Sequence, residues 1–262
     1  WRLPTTSRQA ETMTVFEHKK EEGGFFETVK TVFFAVLIAF GVRTFAFEPF
    51  NIPSGSMIPT LLIGDYLFVS KFSYGYSRYT VAFGAPLFDG RIAGSGPERG
   101  DVAVFKLPSD PSVDYIKRVI GLPGDTVQVV RGVLHVNGEA VKRERVEDFV
   151  SRDALGRQIK IAQYVETLPG GRTHRILEES DQASLDDTPV YRVPDGHYFM
   201  MGDNRDNSLD SRVLGMVGYV PLENFIGRAE FLFFSLDEGA RFWEFWRWPF
   251  DIRFSRLFDG VK

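Results

Sequence analysis

Cysteine is absent from this chain of 262 residues. That excludes disulfides, thiolate nucleophiles and cysteine-ligated zinc, and it leaves the redox compartment open. Histidine is scarce. The four, His18, His135, His174 and His197, are scattered along the chain. His135 lies in a strand-like run and His197 follows a Pro-Asp-Gly turn, so each reads as a structural or surface residue rather than a ligand. A Ser–His–Asp triad therefore has no obvious base. An excess of positive charge is also missing. A net charge of −4 argues against nucleic-acid binding, because phosphate contacts need a basic surface. The patterns G-x-S-x-G, S-x-x-K, H-E-x-x-H and G-K-[ST] do not occur. No cofactor and no metal ion is expected.

Long uncharged runs are few as well. The clearest is Thr31–Val42, 12 residues between Lys30 and Arg43. Alone it falls short of the ~20 residues that cross hydrocarbon. Snorkelling of the two flanking cations extends the usable stretch to residues 25–47, which are expected to form a transmembrane anchor. A buried core helix or an uncleaved signal sequence is the alternative, but Phe45-Ala46-Phe47-Glu48-Pro49 makes a poor cleavage site. Lys19, Lys20 and Lys30 precede the run, and acidic neighbours count little in the positive-inside rule. The N-terminus is thus expected in the cytoplasm and the body outside it. Residues 1–24 read as a polar tail.

What is plentiful is β-pattern. Alternating or β-branched runs broken by Gly, Pro, Asn and Asp occur at 65–71, 101–107, 114–120, 126–130, 133–136 and 229–234. Arg131-Gly132 reads as a hairpin turn and Asn137-Gly138 as the next. Residues 77–98 look like a loop. Residues 142–190 are polar, with fewer strand signals, and read as an inserted excursion. The expected fold is mainly β, with its core split by an insertion. Aromatics are abundant, with 25 Phe, and they crowd the anchor and the tail at 241–254. That tail suits a membrane–water interface or packing on the core equally.

Two segments can carry chemistry. Ser56 lies in FNIPSGSMIPTL, residues 50–61, a Gly/Pro/Ser-rich turn just past the apolar run. A serine there is a nucleophile only if something takes its proton. Lys117 lies in VDYIKRVIGLPGD, residues 113–125, on a strand face shared with Tyr115 and Val119. At the ordinary lysine pKa of ~10.4 only about one side chain in 2,500 is neutral at pH 7, so desolvation must lower it before it can act as a base. Read without other information, Lys117 more often snorkels from a strand edge. The segment GDNRDNSLDSR, residues 202–212, is dense in turn formers and charge. Calcium-loop spacing fails there, because Arg205 stands in the third position and no Gly follows Asn207. Ion pairs and loop closure among Asp203, Arg205, Asp206, Asp210 and Arg212 are the plainer reading.

In order, SGSMIPTL (54–61), GDYLFVSKFSYG (64–75), RGDVAVF (99–105), YIKRVIGLPGD (115–125), GDNRDNSLDSR (202–212) and GYVPLENFIGRA (218–229) resemble the type I signal peptidases. These are membrane-anchored serine proteases that remove signal peptides from exported proteins. The resemblance implies an antiparallel β catalytic domain, residues 48–126 and 197–262, interrupted by a smaller β-rich domain, residues 127–196. It implies Ser56 as nucleophile and Lys117 as general base. The Ser56 N–H and the Ser54 hydroxyl would form an oxyanion hole, and Gly55 would allow a tight turn. Ser208 would orient the Lys117 amine, with Asp210 and Arg212 as supports. Small residues before the cut, in the A-x-A pattern, would sit in apolar pockets. Ile52, Pro53, Met57, Leu61, Tyr115 and Ile116 would line the first, and Phe50, Ile52, Val104 and Ile116 the other. Implied partners are signal peptides of preproteins and the lipid bilayer, for a monomer near the translocation machinery of a bacterial inner membrane, its catalytic domain on the periplasmic face. Two rivals stand beside this reading. One is a related Ser/Lys peptidase of the pilus-processing or self-cleaving repressor kind. The other is a tethered binding module or inactive homologue.

Overall fold

A computed structural model describes residues 24–80, 90–152, 156–237 and 246–262. The expected tail at 1–24 falls almost wholly outside the described residues, as do the middle of the 77–98 loop and the start of the aromatic tail.

Helix Gly24–Phe45 runs 22 residues, about 33 Å at 1.5 Å per residue. That matches the ~30 Å hydrocarbon layer. Its phenylalanines are exposed, Phe25 and Phe26 among them. It stops two residues short of the expected boundary, because Phe47 already opens a strand, Phe47–Asn51. Residues 41–262 form one compact unit, separate from residues 1–40.

The principal sheet has seven strands. Their order is Phe47–Asn51, Asp65–Ser70, Phe225–Ser235, Val102–Leu107, Asp110–Gly121, His197–Met201 and Val220–Pro221. Every pairing is antiparallel. The strand Val102–Leu107 explains its own sequence. Val102 and Val104 enter one apolar cluster with Ile52, Met57, Leu61 and Leu67. Ala103 and Phe105 enter another with Tyr74, Val119 and Phe225. Both faces are covered, so Val102–Phe105 is an unbroken apolar run instead of an alternating one.

The hairpin read from Thr126–Val130 and Val133–Val136 is present, extended by Glu139–Ala140 on one side and Tyr191–Arg192 on the other. The polar stretch after it is richer in strand than its letters suggest. It holds the strands Lys142–Arg145, Phe149–Arg152, Gln158–Thr167 and Thr173–Glu178. The reason is that its buried polar residues are paired. Glu166 is fully buried and is ion-paired to Arg205, so a charged letter occupies an inward position and hides the period of two.

The tail divides by residue type. Arg253 and Arg256 converge on the buried carboxylate of Asp65, and Val261 N–H bonds to the Glu230 carbonyl. Trp246, Phe250 and Phe254 stay exposed.

Candidate active site

Ser56 sits in a single 3-10 turn, Gly55–Met57, shortly after the strand Phe47–Asn51. The turn is held from a distance. Asn204 donates its backbone N–H to the Ser56 carbonyl at 3.1 Å and its amide nitrogen to the Gly55 carbonyl at 3.1 Å. Gly55 opens this turn and is not among the positive-φ glycines. A Cβ there would lie 3.1 Å from Ile58 Cδ1, so that side-chain tip would have to give way slightly. Gly202 has a sharper constraint. A Cβ at 202 would lie 2.1 Å from Ser208 Oγ and 2.5 Å from the Ser56 carbonyl oxygen.

Lys117 comes from the strand Asp110–Gly121. Its Nζ is 2.7 Å from Ser56 Oγ and 3.0 Å from the Ile116 carbonyl. Both partners are neutral oxygens. The residue is only 4% exposed, and its amine lies 5.1 Å from the centre of the Tyr115 ring. Burial lowers Lys117 to about 8, while Asp210 and Asp203 pull weakly the other way. A neutral amine at this distance can accept the hydroxyl proton of Ser56.

The next residue behaves differently. Arg118, on the opposite strand face, grips Asp203 through Nε at 2.8 Å and Nη2 at 2.7 Å. Asp203 also accepts from Thr60 Oγ1 at 2.6 Å. Burial by itself would raise Asp203, but Arg118 outweighs it and holds the carboxyl below its ordinary value. Asp210 is likewise kept below its ordinary value against its burial, by Arg212 and the Gly202 N–H. Arg212 then caps the Arg205 carbonyl at 2.6 Å.

A groove of about 640 Å³ opens beside the serine. Residues 53–56 form one wall and residues 113–117 another, with Asn204, Asn207 and Leu209 along the side. No histidine lines it among the described residues. Of the residues expected in the pockets, Pro53, Tyr115 and Ile116 line this groove. Ile52, Met57, Leu61 and Val104 lie buried in the adjoining apolar cluster, against which Phe50 and Ile116 pack. Ile116 thus joins groove and cluster. Ser54 is exposed, its Oγ 3.4 Å from Ser56 Oγ. Ser208 is buried, but its hydroxyl has no hydrogen-bond partner, and what fixes Lys117 is Ser56 and Ile116.

Sequence reading did not single out Asn204, Arg118, Asp203 or the Glu166–Arg205 pair as parts of the site. The polar density of 202–212 marked the segment without showing which members reach the serine turn.

A β-rich fold with a serine hydroxyl at an open groove describes a serine hydrolase. The family profile described as signal peptidase, peptidase S26, matches residues 25–234. The chain is 45% identical over 221 residues to the signal peptidase I of Rickettsia typhi, covering 80% of this chain and 81% of that protein. It is 44% identical over 223 residues to the signal peptidase I of Rickettsia prowazekii, covering 80% and 81%. A signal peptidase I structure from Enterococcus faecalis aligns at 26% identity over 51% of this chain and 97% of that one, with a TM-score of 0.30, too low to bear on the fold. The chain belongs to the signal peptidase family, peptidase S26.

Proposed function

We propose that this chain is a membrane-anchored endopeptidase that cuts signal peptides from exported preproteins after small residues, using Ser56 and Lys117. The observation that carries the reading is the 2.7 Å approach of a buried lysine amine, free of any carboxylate bond, to a serine hydroxyl. Neutral Lys117 takes the Ser56 proton as Oγ attacks the scissile carbonyl, and an acyl-enzyme forms as the new amino terminus leaves with that proton. Water, deprotonated by the same amine, then releases the signal peptide. The Ser56 N–H and the Ser54 hydroxyl receive the charge on the tetrahedral oxygen, which requires the exposed Ser54 side chain to turn toward the substrate.

The substrate lies extended between residues 53–56 and 113–117, adding main-chain hydrogen bonds as a strand. Tyr115 and Ile116 and the packed layer of Ile52, Met57, Leu61 and Val104 leave depth for an alanine-sized side chain, so larger residues are excluded by the cost of reopening a filled core. Helix Gly24–Phe45 anchors the chain, N-terminus inward. Tethering confines the search for preproteins to the bilayer. Residues 127–196 are read as the inserted domain, and Ser208, Asp210 and Arg212 as supports of the site.

Purified Ser56→Ala and Lys117→Ala variants, assayed on a preprotein with alanine at the first and third positions before the cut, are expected to lose ~10³-fold or more in kcat. Unchanged melting temperature would separate this from misfolding. Undiminished cleavage by either variant removes the mechanism.

A further inference from the structure

Three acidic side chains meet away from the groove. Glu178 ends the strand Thr173–Glu178, Asp186 lies in the following loop, and Asp206 sits in the 3-10 turn Arg205–Asn207. One oxygen from each lies within 4.8 Å of the others. Their hydrogen bonds are lopsided. Asp206 Oδ2 accepts from the backbone N–H of Glu179 at 2.7 Å and of Ser180 at 3.0 Å. Asp186 Oδ2 accepts from the Ala183 N–H at 2.5 Å. Each aspartate is thereby aimed, and its other oxygen has no partner. Glu178 is more exposed in chemistry than in space. It is 3% accessible, yet neither of its oxygens has a hydrogen-bond partner.

Four buried carboxylate oxygens without a donor are costly, because each has lost water and gained nothing. Nearby cations are committed elsewhere. Arg205 is engaged by Glu166, Arg143 by Asp181, and Arg212 by Asp210.

We propose that Glu178, Asp186 and Asp206 bind a hard divalent cation of the calcium type. The donor set is all oxygen, which selects calcium or magnesium over thiolate- and imidazole-seeking metals. Hydration selects between those two. Calcium accepts a flexible shell of protein oxygens, whereas magnesium sheds water reluctantly and is seldom held by a dedicated set of buried side chains. The orphaned oxygens of Glu178, Asp186 and Asp206 supply the ligands, and solvent the remaining positions.

The site has a structural consequence. Asp206 follows Asn204, which holds the serine turn, and Asn207 Nδ2 bonds Glu179 at 2.7 Å. The cation ties this loop to the end of the strand Thr173–Glu178.

The test uses the full chain in detergent micelles, stripped with a chelator and then given calcium chloride. For a site of ~10⁻⁴–10⁻³ M affinity, about 10 mM calcium is expected to raise the melting temperature by roughly 3–10 °C over sodium chloride of matched ionic strength. Glu178→Gln and Asp186→Asn should abolish that shift, and because each is isosteric and adds no charge to the cluster they should melt no lower than the stripped wild type. Calorimetric titration of the wild type should give one equivalent of calcium, which keeps the test valid if a variant fails to fold. Indifference of the wild type to calcium, or a shift that survives in both variants, overturns the site. An equal or larger response to magnesium overturns the calcium assignment.

Discussion

Lys117 and Arg118 are neighbours on one strand, both buried, and they face opposite ways. Arg118 has a carboxylate partner in bidentate geometry and further acceptors at the Gly100 and Lys262 carbonyls. Lys117 has only a serine hydroxyl and one carbonyl. Burial acts on both, but only Arg118 is compensated. The difference teaches that a low dielectric stabilises a fold when charge is matched and prepares a base when it is not.

The largest expected effect separates the two by sign. Arg118→Ala strands the Asp203 carboxylate and should cost ~3–5 kcal/mol of stability, read by urea unfolding. Lys117→Met should do the reverse. Its lowered value, about 8 against 10.5, corresponds to a penalty of about 3 kcal/mol at neutral pH, which an apolar residue of similar length removes. The sign follows from proton binding. Between pH 8 and 10.5 the unfolded lysine holds a proton that the folded one has lost, so wild-type stability rises with pH across that window and the Met variant's should not. Destabilisation of Lys117→Met comparable to Arg118→Ala would erase the distinction.

The second effect is on rate. Only neutral Lys117 accepts a proton, so kcat/KM on a preprotein should rise about tenfold per pH unit below 8 and level off above it. A profile flat from about pH 6 to 9 would show that Lys117 is not the titrating base.

The smallest effect probes the link between the regions. Gly202→Ala places a methyl against Ser208 and the Ser56 carbonyl. Overpacking of this kind costs ~1–3 kcal/mol. It should also lower kcat more than it raises KM, by about tenfold, because the serine turn shifts relative to Lys117. Equal loss in Gly96→Ala, whose Cβ meets the far end of Tyr198 away from the groove, would make the effect one of general packing.

Much of the fold was legible. Runs such as 65–71 and 101–107 became strands, because β-branched and aromatic residues concentrate in them between turn formers. The strand Gln158–Thr167 was not legible, because inward Glu166 is matched by Arg205 from a segment 39 residues away. Ser56 and Lys117 were legible as candidates from their motifs. Asn204 was not, since its contact with Gly55 spans 149 residues.

What the sequence determined by itself was local: the apolar helix, the alternating strands, the turn glycines, and the kinds of side chain on offer for chemistry. Those follow from propensity and periodicity, which act between near neighbours. Tertiary structure alone decided which charges are matched. A carboxylate reaches Arg118 and none reaches Lys117 because strands distant in sequence are packed side by side, and in a medium that solvates charge poorly that single difference in company separates a brace from a base.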